Sequence, residues 1–238
     1  MKSKILLFLI VTITVTSCDD ADEIPLSPIP EIEFQKIEFN HGDGSIRFDT
    51  LSILLSFKDG DSDLGLHYDS NEEPFHIFNY YTSHGERMTV LDTAKFNYLK
   101  LGDNDTLPDF PSCKYEVYNQ DTIYRQFNRF HNNLHVDIYT ESNGRYEKFD
   151  FEEIGSCGGL SIRFPRIDQK GRIIKGHWIV INSNKYEGTI EYKIASPAWY
   201  DRFEESRLKF KLRINDRALN MSNWIETPSF TLNELANN

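Results

Sequence analysis

The chain is short of positive charge and, after its first residues, of long apolar runs. Lys and Arg number 26 against 37 Asp and Glu, which gives a formal net charge of -11. Nucleic acids and anionic lipid head groups attract cationic surfaces, so this balance argues against nucleic acid as a partner. No later segment approaches the roughly 18 consecutive apolar residues of a transmembrane helix, so no second membrane anchor is expected.

The sequence also lacks the short motifs of common catalytic and cofactor sites. It has no phosphate-binding loop, dinucleotide fingerprint or Cys-x-x-Cys pair. His131 and His135 are four residues apart, but they lie in a strand-like pattern without the glutamate of a zinc-protease motif. The glycine-rich residues 155–159 lack the spacing of a nucleophile elbow. We therefore expect no enzyme activity and assign no catalytic residue.

Cysteine is scarce, with three in the chain. If Cys18 is acylated, Cys113 and Cys157 remain as an even pair. In an exported protein such a pair is expected to form a disulfide. The bridge would close a loop of about 45 residues and contribute roughly 4 kcal/mol in the chain-entropy account. Two free thiols are the alternative.

The N-terminus has the organisation of a secretory signal. Lys2 and Lys4 precede an apolar run of about eleven residues, 5–15. Val15-Thr16-Ser17-Cys18 then resembles a bacterial lipobox, in which the cysteine thiol takes a diacylglycerol. We expect residues 1–17 to be removed and Cys18 to hold the protein on a membrane through its acyl chains. The alternative is an ordinary signal followed by a chance cysteine.

Residues 18–32 predict a tether between the membrane and the fold. The acidic residues directly after Cys18 resemble the surface-export signal of Bacteroidota lipoproteins, and they also suit a solvated spacer. Three prolines between residues 24 and 30 favour an extended, semi-stiff chain.

Alternation of apolar and polar residues predicts β-structure for the rest of the chain. Leu51, Ile53, Leu55 and Phe57 mark one half-buried strand, and residues 208–214 alternate without exception. Polar turns predict three hairpins, whose strands are 75–81 with 87–91, 134–140 with 145–151, and 173–182 with 188–194.

These patterns predict an all-β fold, an antiparallel immunoglobulin-like sandwich with a large central insertion and one short helix. The domain spans residues 33–238, and the insertion covers about 66–130 and is pinned by the Cys113–Cys157 bridge. The core strands come from residues 33–57, 134–151, 172–194 and 207–232. Ser196 and Pro197 predict the start of a helix over residues 198–206. Two separate domains are the alternative.

An acidic loop follows the first predicted strand. Asp59, Asp61 and Asp63 alternate there with glycine and serine. Three carboxylates with carbonyls and waters could satisfy calcium, although the EF-hand pattern fits poorly because Leu64 stands where that loop needs glycine. The alternative is a plain acidic turn that ends the strand.

Residues 59–64 resemble the DxDGD segment of cadherin-like and bacterial immunoglobulin-like repeats. Residues 213–220 resemble the turn before the last strand of those repeats, with Leu219 where glycine is usual. The resemblance implies that Asp216 joins Asp59, Asp61 and Asp63 at one end of the sandwich, where a structural calcium ion would bind.

The lipobox, the acidic loop and the closing residues 208–232 together resemble a family of Bacteroidota surface lipoproteins with an immunoglobulin-like or cadherin-like sandwich. This resemblance implies an outer-membrane protein, lipid-anchored and exposed at the cell surface. It implies no particular activity.

Two classes of function remain open. The first is a non-enzymatic structural or interaction module that docks on an envelope protein. The second is a glycan- or nutrient-binding lipoprotein beside an outer-membrane importer, with Trp199 and Tyr200 as an exposed platform for sugar rings. Trp178 and Trp224 are expected to be buried in strands.

Overall fold

A computed structural model describes residues 26–42, 48–88, 113–118, 121–167, 172–175, 179–184, 186–197 and 199–236. Within them lie thirteen β-strands, two short α-helices and two single 3₁₀ turns, Arg129–His131 and Glu152–Ile154. The strands are β1 Glu31–Asn40, β2 Asp49–Lys58, β3 Phe78–Tyr81, β4 Arg87–Met88, β5 Tyr115–Tyr118, β6 Asp121–Phe127, β7 Leu134–Ser142, β8 Arg145–Lys148, β9 Arg172–Lys175, β10 Ile179–Ser183, β11 Glu187–Ser196, β12 Leu208–Ile214 and β13 Ile225–Glu226. The helices are α1 Trp199–Phe203 and α2 Leu232–Ala236. No helix in these ranges is long and apolar enough to cross a bilayer.

Two antiparallel sheets form a sandwich. One has the strand order β1-β2-β11-β10-β9 and the other β13-β12-β7-β8. If β1, β2, β7, β8, β10, β11, β12 and β13 are named A, B, C, C′, D, E, F and G, the orders become A-B-E-D and C′-C-F-G. This is the immunoglobulin arrangement, extended beyond D by β9. The prediction of an all-β antiparallel sandwich is confirmed.

The core lies between these two sheets and comes directly from the alternation in the sequence. Leu51, Ile53, Leu55 and Phe57 of β2 point inward, and the facing β12 buries its four alternating apolar residues completely or nearly so. Side chains of a strand alternate between its two faces, so a period of two residues delivers one apolar face to the core. Phe164, from the segment after β8, fills the same cluster.

A third sheet, with the order β4-β3-β6-β5, interrupts the sandwich between β2 and β7. It therefore lies within the connection between strands B and C, where the insertion was predicted. The predicted Cys113–Cys157 disulfide is present, with its Cα atoms 5.2 Å apart, and it ties the chain just before β5 to the segment after β8.

Arg163 provides a second tie between the insertion and the sandwich. Its guanidinium group donates to the carbonyl oxygens of Ser70 at 2.8 Å, Phe75 at 3.0 Å and His131 at 2.8 Å. These carbonyls belong to the two segments through which the chain enters and leaves the third sheet. A planar group with several fixed donors suits this role, because it can satisfy several backbone acceptors at once.

Several predicted boundaries are wrong. Residues 173–182 do not form one strand: β9 and β10 are two strands that pair with each other, with Ile174 opposite Ile181. β1 begins at Glu31 with Ile32 buried, two residues inside the predicted tether. Ser196 ends β11 instead of capping a helix, and α1 is five residues long.

The prediction of a single helix is also wrong, because α2 was missed. Thr231 and Glu234 form a capping box: the Glu234 amide donates to the Thr231 hydroxyl and the Thr231 amide donates to the Glu234 carboxylate. The Thr-x-x-Glu spacing was visible in the sequence. The helix was overlooked because residues 207–232 were assigned to strands on the strength of their apolar content.

Candidate functional site

The loop after β2 is shaped by close backbone contacts. The Asp59 amide donates to the Tyr186 carbonyl at 2.7 Å, and the Gly60 amide donates to the Ser27 carbonyl at 2.8 Å. A Cβ atom on Gly60 would lie 2.3 Å from the Leu26 carbonyl oxygen, so only glycine fits. Asp59 Oδ2 then accepts from the Asp63 amide at 2.9 Å, which folds the loop back on itself.

The connection between β12 and β13 brings the fourth carboxylate. Asp216 is fully buried, and its two oxygens accept from the Asn220 amide at 2.7 Å and the Asn220 side chain at 2.8 Å. Leu219 adopts a φ of 69°, the left-handed conformation that glycine takes without strain. The turn implied by the resemblance therefore forms although leucine replaces the usual glycine.

The two loops are joined by backbone and side-chain contacts. Leu64 and Asp216 form an isolated antiparallel bridge, and Asp63 Oδ2 accepts from the Ala218 amide at 3.1 Å. Arg217 donates to the Leu64 carbonyl at 3.1 Å. One oxygen from each of Asp59, Asp61, Asp63 and Asp216 lies within 4.8 Å of the others, so the four predicted residues meet at one end of the sandwich.

The electrostatics of this aspartate cluster favour an added positive charge. Burial, followed by the neighbouring Asp61 charge, raises the pKa of Asp59 to about 7. Burial is also the first cause of the raised pKa values of Asp63 and Asp216. Asp59 is 1% exposed, yet its Oδ1 accepts no hydrogen bond, and neither does the buried Oδ1 of Asp63. Two buried carboxylate oxygens without donors, close to two further carboxylates, form a site that a hard cation would complete.

The predicted aromatic platform does not form. Trp199 is 3% exposed: its indole N–H donates to the Ile194 carbonyl at 3.0 Å and its ring packs against Phe203 and Phe210. Trp199 is a core residue because of these tertiary contacts, which local sequence does not show. Tyr200 is half-buried, with its ring edge-on to Phe39 and His41.

The two other tryptophans behave differently from each other. Trp224, expected to be buried, is 38% exposed and lies beside Arg213, whose guanidinium carbon is 4.3 Å from the ring centroid. It precedes the short β13 instead of opening a long buried strand. Trp178 and Cys18 lie outside the described residues, so the predictions for them stay predictions.

Two exposed tyrosines and one half-buried tyrosine were missed at the sequence level. Tyr115, Tyr124 and Tyr81 lie side by side across β5, β6 and β3. Tyr81 and Tyr124 alternate with buried neighbours, and that was the signal in the sequence. The strand register that brings them together depends on the fold.

Comparison of the chain with protein-family models, curated proteins and solved structures finds no match.

Proposed function

We propose that this protein is a lipid-anchored protein of the cell envelope that acts as a non-enzymatic structural or interaction module, and that a calcium ion organises one end of its sandwich. The observation that carries the calcium part is the aspartate cluster, with the buried and undonated Oδ1 atoms of Asp59 and Asp63. The anchor rests on Cys18 and the lipobox pattern.

Calcium suits the cluster better than other biological cations. The donor set is all oxygen, which favours hard cations over zinc or copper. Calcium accepts six to eight oxygens in irregular geometry, whereas magnesium requires near-ideal octahedral coordination and gives up its water reluctantly. Four carboxylates on two loops, with room for carbonyls or waters, match the more tolerant ion.

A cation here would act on the interaction surface. Asp59, Asp61 and Asp63 lie in the loop that follows β2 on the way to the third sheet, and Asp216 lies on the loop between the last two strands. Binding of one ion by both loops would fix the base from which the insertion projects. A projecting sheet with a rigid base can present a binding surface to a partner and loses little conformational entropy when the partner binds.

The predicted tether, residues 18–32, supports a location at the membrane. Acyl chains on Cys18 would hold the domain at the membrane, and the proline-containing residues 24–30 would place the start of β1 some distance from it. An outer-membrane, surface-exposed position follows from the resemblance to Bacteroidota lipoproteins.

The second candidate function is glycan or nutrient binding beside an outer-membrane importer. Trp199 no longer supports it. The row of Tyr81, Tyr124 and Tyr115 does, because aromatic rings next to amide groups can hold a sugar chain.

Calcium titration of the full chain in detergent micelles tests the metal proposal. After removal of metal with a chelator, calcium at about 100 times its Kd should stabilise the fold by about 2.7 kcal/mol and raise Tm by about 5–10 °C. Magnesium at the same concentration should have a much smaller effect. Differential scanning calorimetry measures the Tm and isothermal titration the binding.

Asp61→Asn is the informative variant, because Asp61 is exposed and its loss should not disturb folding. It should weaken calcium binding at least tenfold, since a neutral amide replaces a ligand charge. Asp69→Asn, an exposed aspartate outside the cluster, is the matched control and should bind calcium like the wild type. If calcium neither binds the wild-type protein nor shifts its Tm, the metal proposal is wrong. The lipid-anchored interaction module is tested separately, by substitution of Cys18.

A further inference from the structure

The outward face of the third sheet carries a continuous row of tyrosines. Tyr115 of β5 pairs directly with Tyr124 of β6, and Tyr124 pairs directly with Tyr81 of β3. Directly opposed residues on neighbouring strands project to the same face, about 5 Å apart. The row therefore crosses three strands, and Arg87 of β4 continues it because it pairs with Tyr81.

Two of the three rings are exposed to solvent, and Tyr81 is half-buried. Tyr115 is 52% exposed and Tyr124 is 46% exposed, with ring centroids 6.2 Å apart and planes tilted by 51°. A tyrosine ring loses much apolar area from water when another molecule covers it, and its hydroxyl keeps a polar contact at the rim. Successive tilted rings form a twisted ribbon, a shape that suits an elongated ligand better than a flat one.

The opposite face of the same sheet is packed, which holds the row in place. Tyr80, Met88, Ile123 and Arg125 are all buried there. Arg125 donates to Cys157 Sγ at 3.6 Å, so the sheet rests on the loop that carries the disulfide. Cys113, the other half of that bridge, lies two residues before Tyr115. Rigid positioning lowers the entropy lost when a ligand binds.

Amide groups lie beside the rings. The Tyr81 hydroxyl donates to Gln126 Oε1 at 3.3 Å, and Gln126, two residues along β6 from Tyr124, faces the same side and is exposed. Asn79 stands opposite Gln126, and its Oδ1 bonds His76 Nε2 at 2.7 Å. Next to these amides a depression of about 410 Å³ opens between the sheet and the segment after β6.

The charges on the outward face of the third sheet indicate which class of ligand it could bind. Among the outward positions whose side chains are described, Arg87 alone is charged, and it forms an ion pair with Glu73 at 2.5 Å. Arg129 also lines the depression, but the row itself offers rings and amides without an uncompensated charge, which matches a neutral ligand. Carbohydrate rings have C–H faces that stack on aromatics and hydroxyl edges that bond amides. The chain's net charge of -11 disfavours single-stranded nucleic acid, which also stacks on aromatic rows.

We propose that the outward face of the third sheet binds a neutral carbohydrate chain, stacked on Tyr115, Tyr124 and Tyr81, with its hydroxyls bonded to Gln126 and Asn79. This inference goes beyond the calcium-organised module and involves different residues, so either can fail without the other.

Affinity electrophoresis of the full chain in detergent tests it. The probes are three neutral polysaccharides, hydroxyethyl cellulose, soluble starch and xylan, and one acidic polysaccharide, polygalacturonate. At least one neutral probe should retard the protein, and isothermal titration then gives the affinity. The double variant Tyr115→Ala/Tyr124→Ala should bind that probe at least tenfold more weakly.

Tyr68→Ala is the matched control, because Tyr68 is 83% exposed but lies outside the row; it should bind like the wild type. If the double variant unfolds, as judged by circular dichroism, Gln126→Ala replaces it and should weaken binding severalfold. Retardation by no probe, retardation by polygalacturonate alone, or equal loss in the Tyr68 control would each overturn the proposal.

Discussion

Some polar side chains in this protein are buried at positions where the core of an all-β protein is normally apolar. Asn215 is fully buried, and its Oδ1 accepts from His135 Nε2 at 2.7 Å while its Nδ2 donates to the Asp216 carbonyl at 2.9 Å. A buried polar group is tolerated when its hydrogen bonds are made. These bonds order the chain next to Asp216, so the aspartate cluster depends on residues that would not themselves bind a metal.

The left-handed Leu219 is a second residue-scale feature. Forcing a non-glycine residue into this conformation costs roughly 1–2 kcal/mol. The bonds of Asp216 to Asn220 and the bridge to Leu64 hold the turn in spite of that cost. The strained turn is part of the loop that supplies Asp216 to the aspartate cluster.

The environment of His135 predicts a pH dependence of stability. Burial lowers its pKa, and Arg213 and Arg129 act in the same direction, against the Asn215 bond and the Asp137 charge. The unfolded chain therefore takes up the proton first as the pH falls through about 6.5, and the folded state loses stability there. Above that pH both states are neutral and the contribution is complete.

His135→Gln isolates this effect, because glutamine can still donate to Asn215 but does not titrate. We expect the free energy of unfolding of the wild type, relative to the variant, to fall between pH 7.5 and pH 5.5 by up to about 1.4 kcal/mol per pH unit. Urea denaturation at several pH values measures both proteins. Parallel pH curves for the two would show that His135 is not the titrating group.

At the scale of elements, the third sheet is an addition to a common sandwich. Its inner face packs on the loop of the disulfide, and Arg163 ties its entry and exit segments together. A small sheet needs a packed apolar face to be stable, so these ties help to keep the third sheet in register.

Removal of the disulfide is therefore expected to act mainly on this sheet. The 44-residue separation between Cys113 and Cys157 implies a loss of roughly 4 kcal/mol in Cys113→Ser/Cys157→Ser, since the unfolded chain regains the entropy of an open loop. Urea denaturation measures the loss. Hydrogen exchange should speed up more in β5 and β6 than in β2 and β12.

Equal acceleration of exchange in all four strands would contradict this prediction. It would mean that the third sheet and the sandwich unfold as one cooperative unit, and that the disulfide stabilises the whole domain evenly.

For the whole molecule, the central prediction is the anchor. Cys18→Ser should move the protein from the membrane fraction to the soluble fraction of the cells that produce it, because serine cannot form the thioether that carries the acyl chains. Immunoblotting of separated fractions measures this, and Cys113→Ser/Cys157→Ser is the control that should remain in the membrane fraction. A Cys18→Ser protein that stays in the membrane fraction would contradict lipid anchoring.

Much of the fold was predictable because the evidence for it is local. The alternation in residues 51–57 and 208–214 identified two central strands, and Asn143 and Gly144, with φ values of 52° and 74°, form the predicted hairpin turn. The division of residues 173–182 into two strands was not predicted, since it depends on which partner each half finds. α2 could have been predicted, because the two residues of its capping box, Thr231 and Glu234, are close together in the sequence.

By itself, the sequence determined the all-β class, the pairing of Cys113 with Cys157 and the choice of Asp59, Asp61 and Asp63, because each follows from residue types and spacing, whereas Asp216 was implied by the resemblance to cadherin-like repeats. Only the tertiary structure decided that Asp59 and Asp63 keep buried oxygens without donors, that Trp199 lies in the core, and that three tyrosines align across separate strands. The physical reason is that burial and register are properties of long-range packing: a residue's type sets what it can do, and the strands that pack around it determine whether solvent or a ligand can reach it.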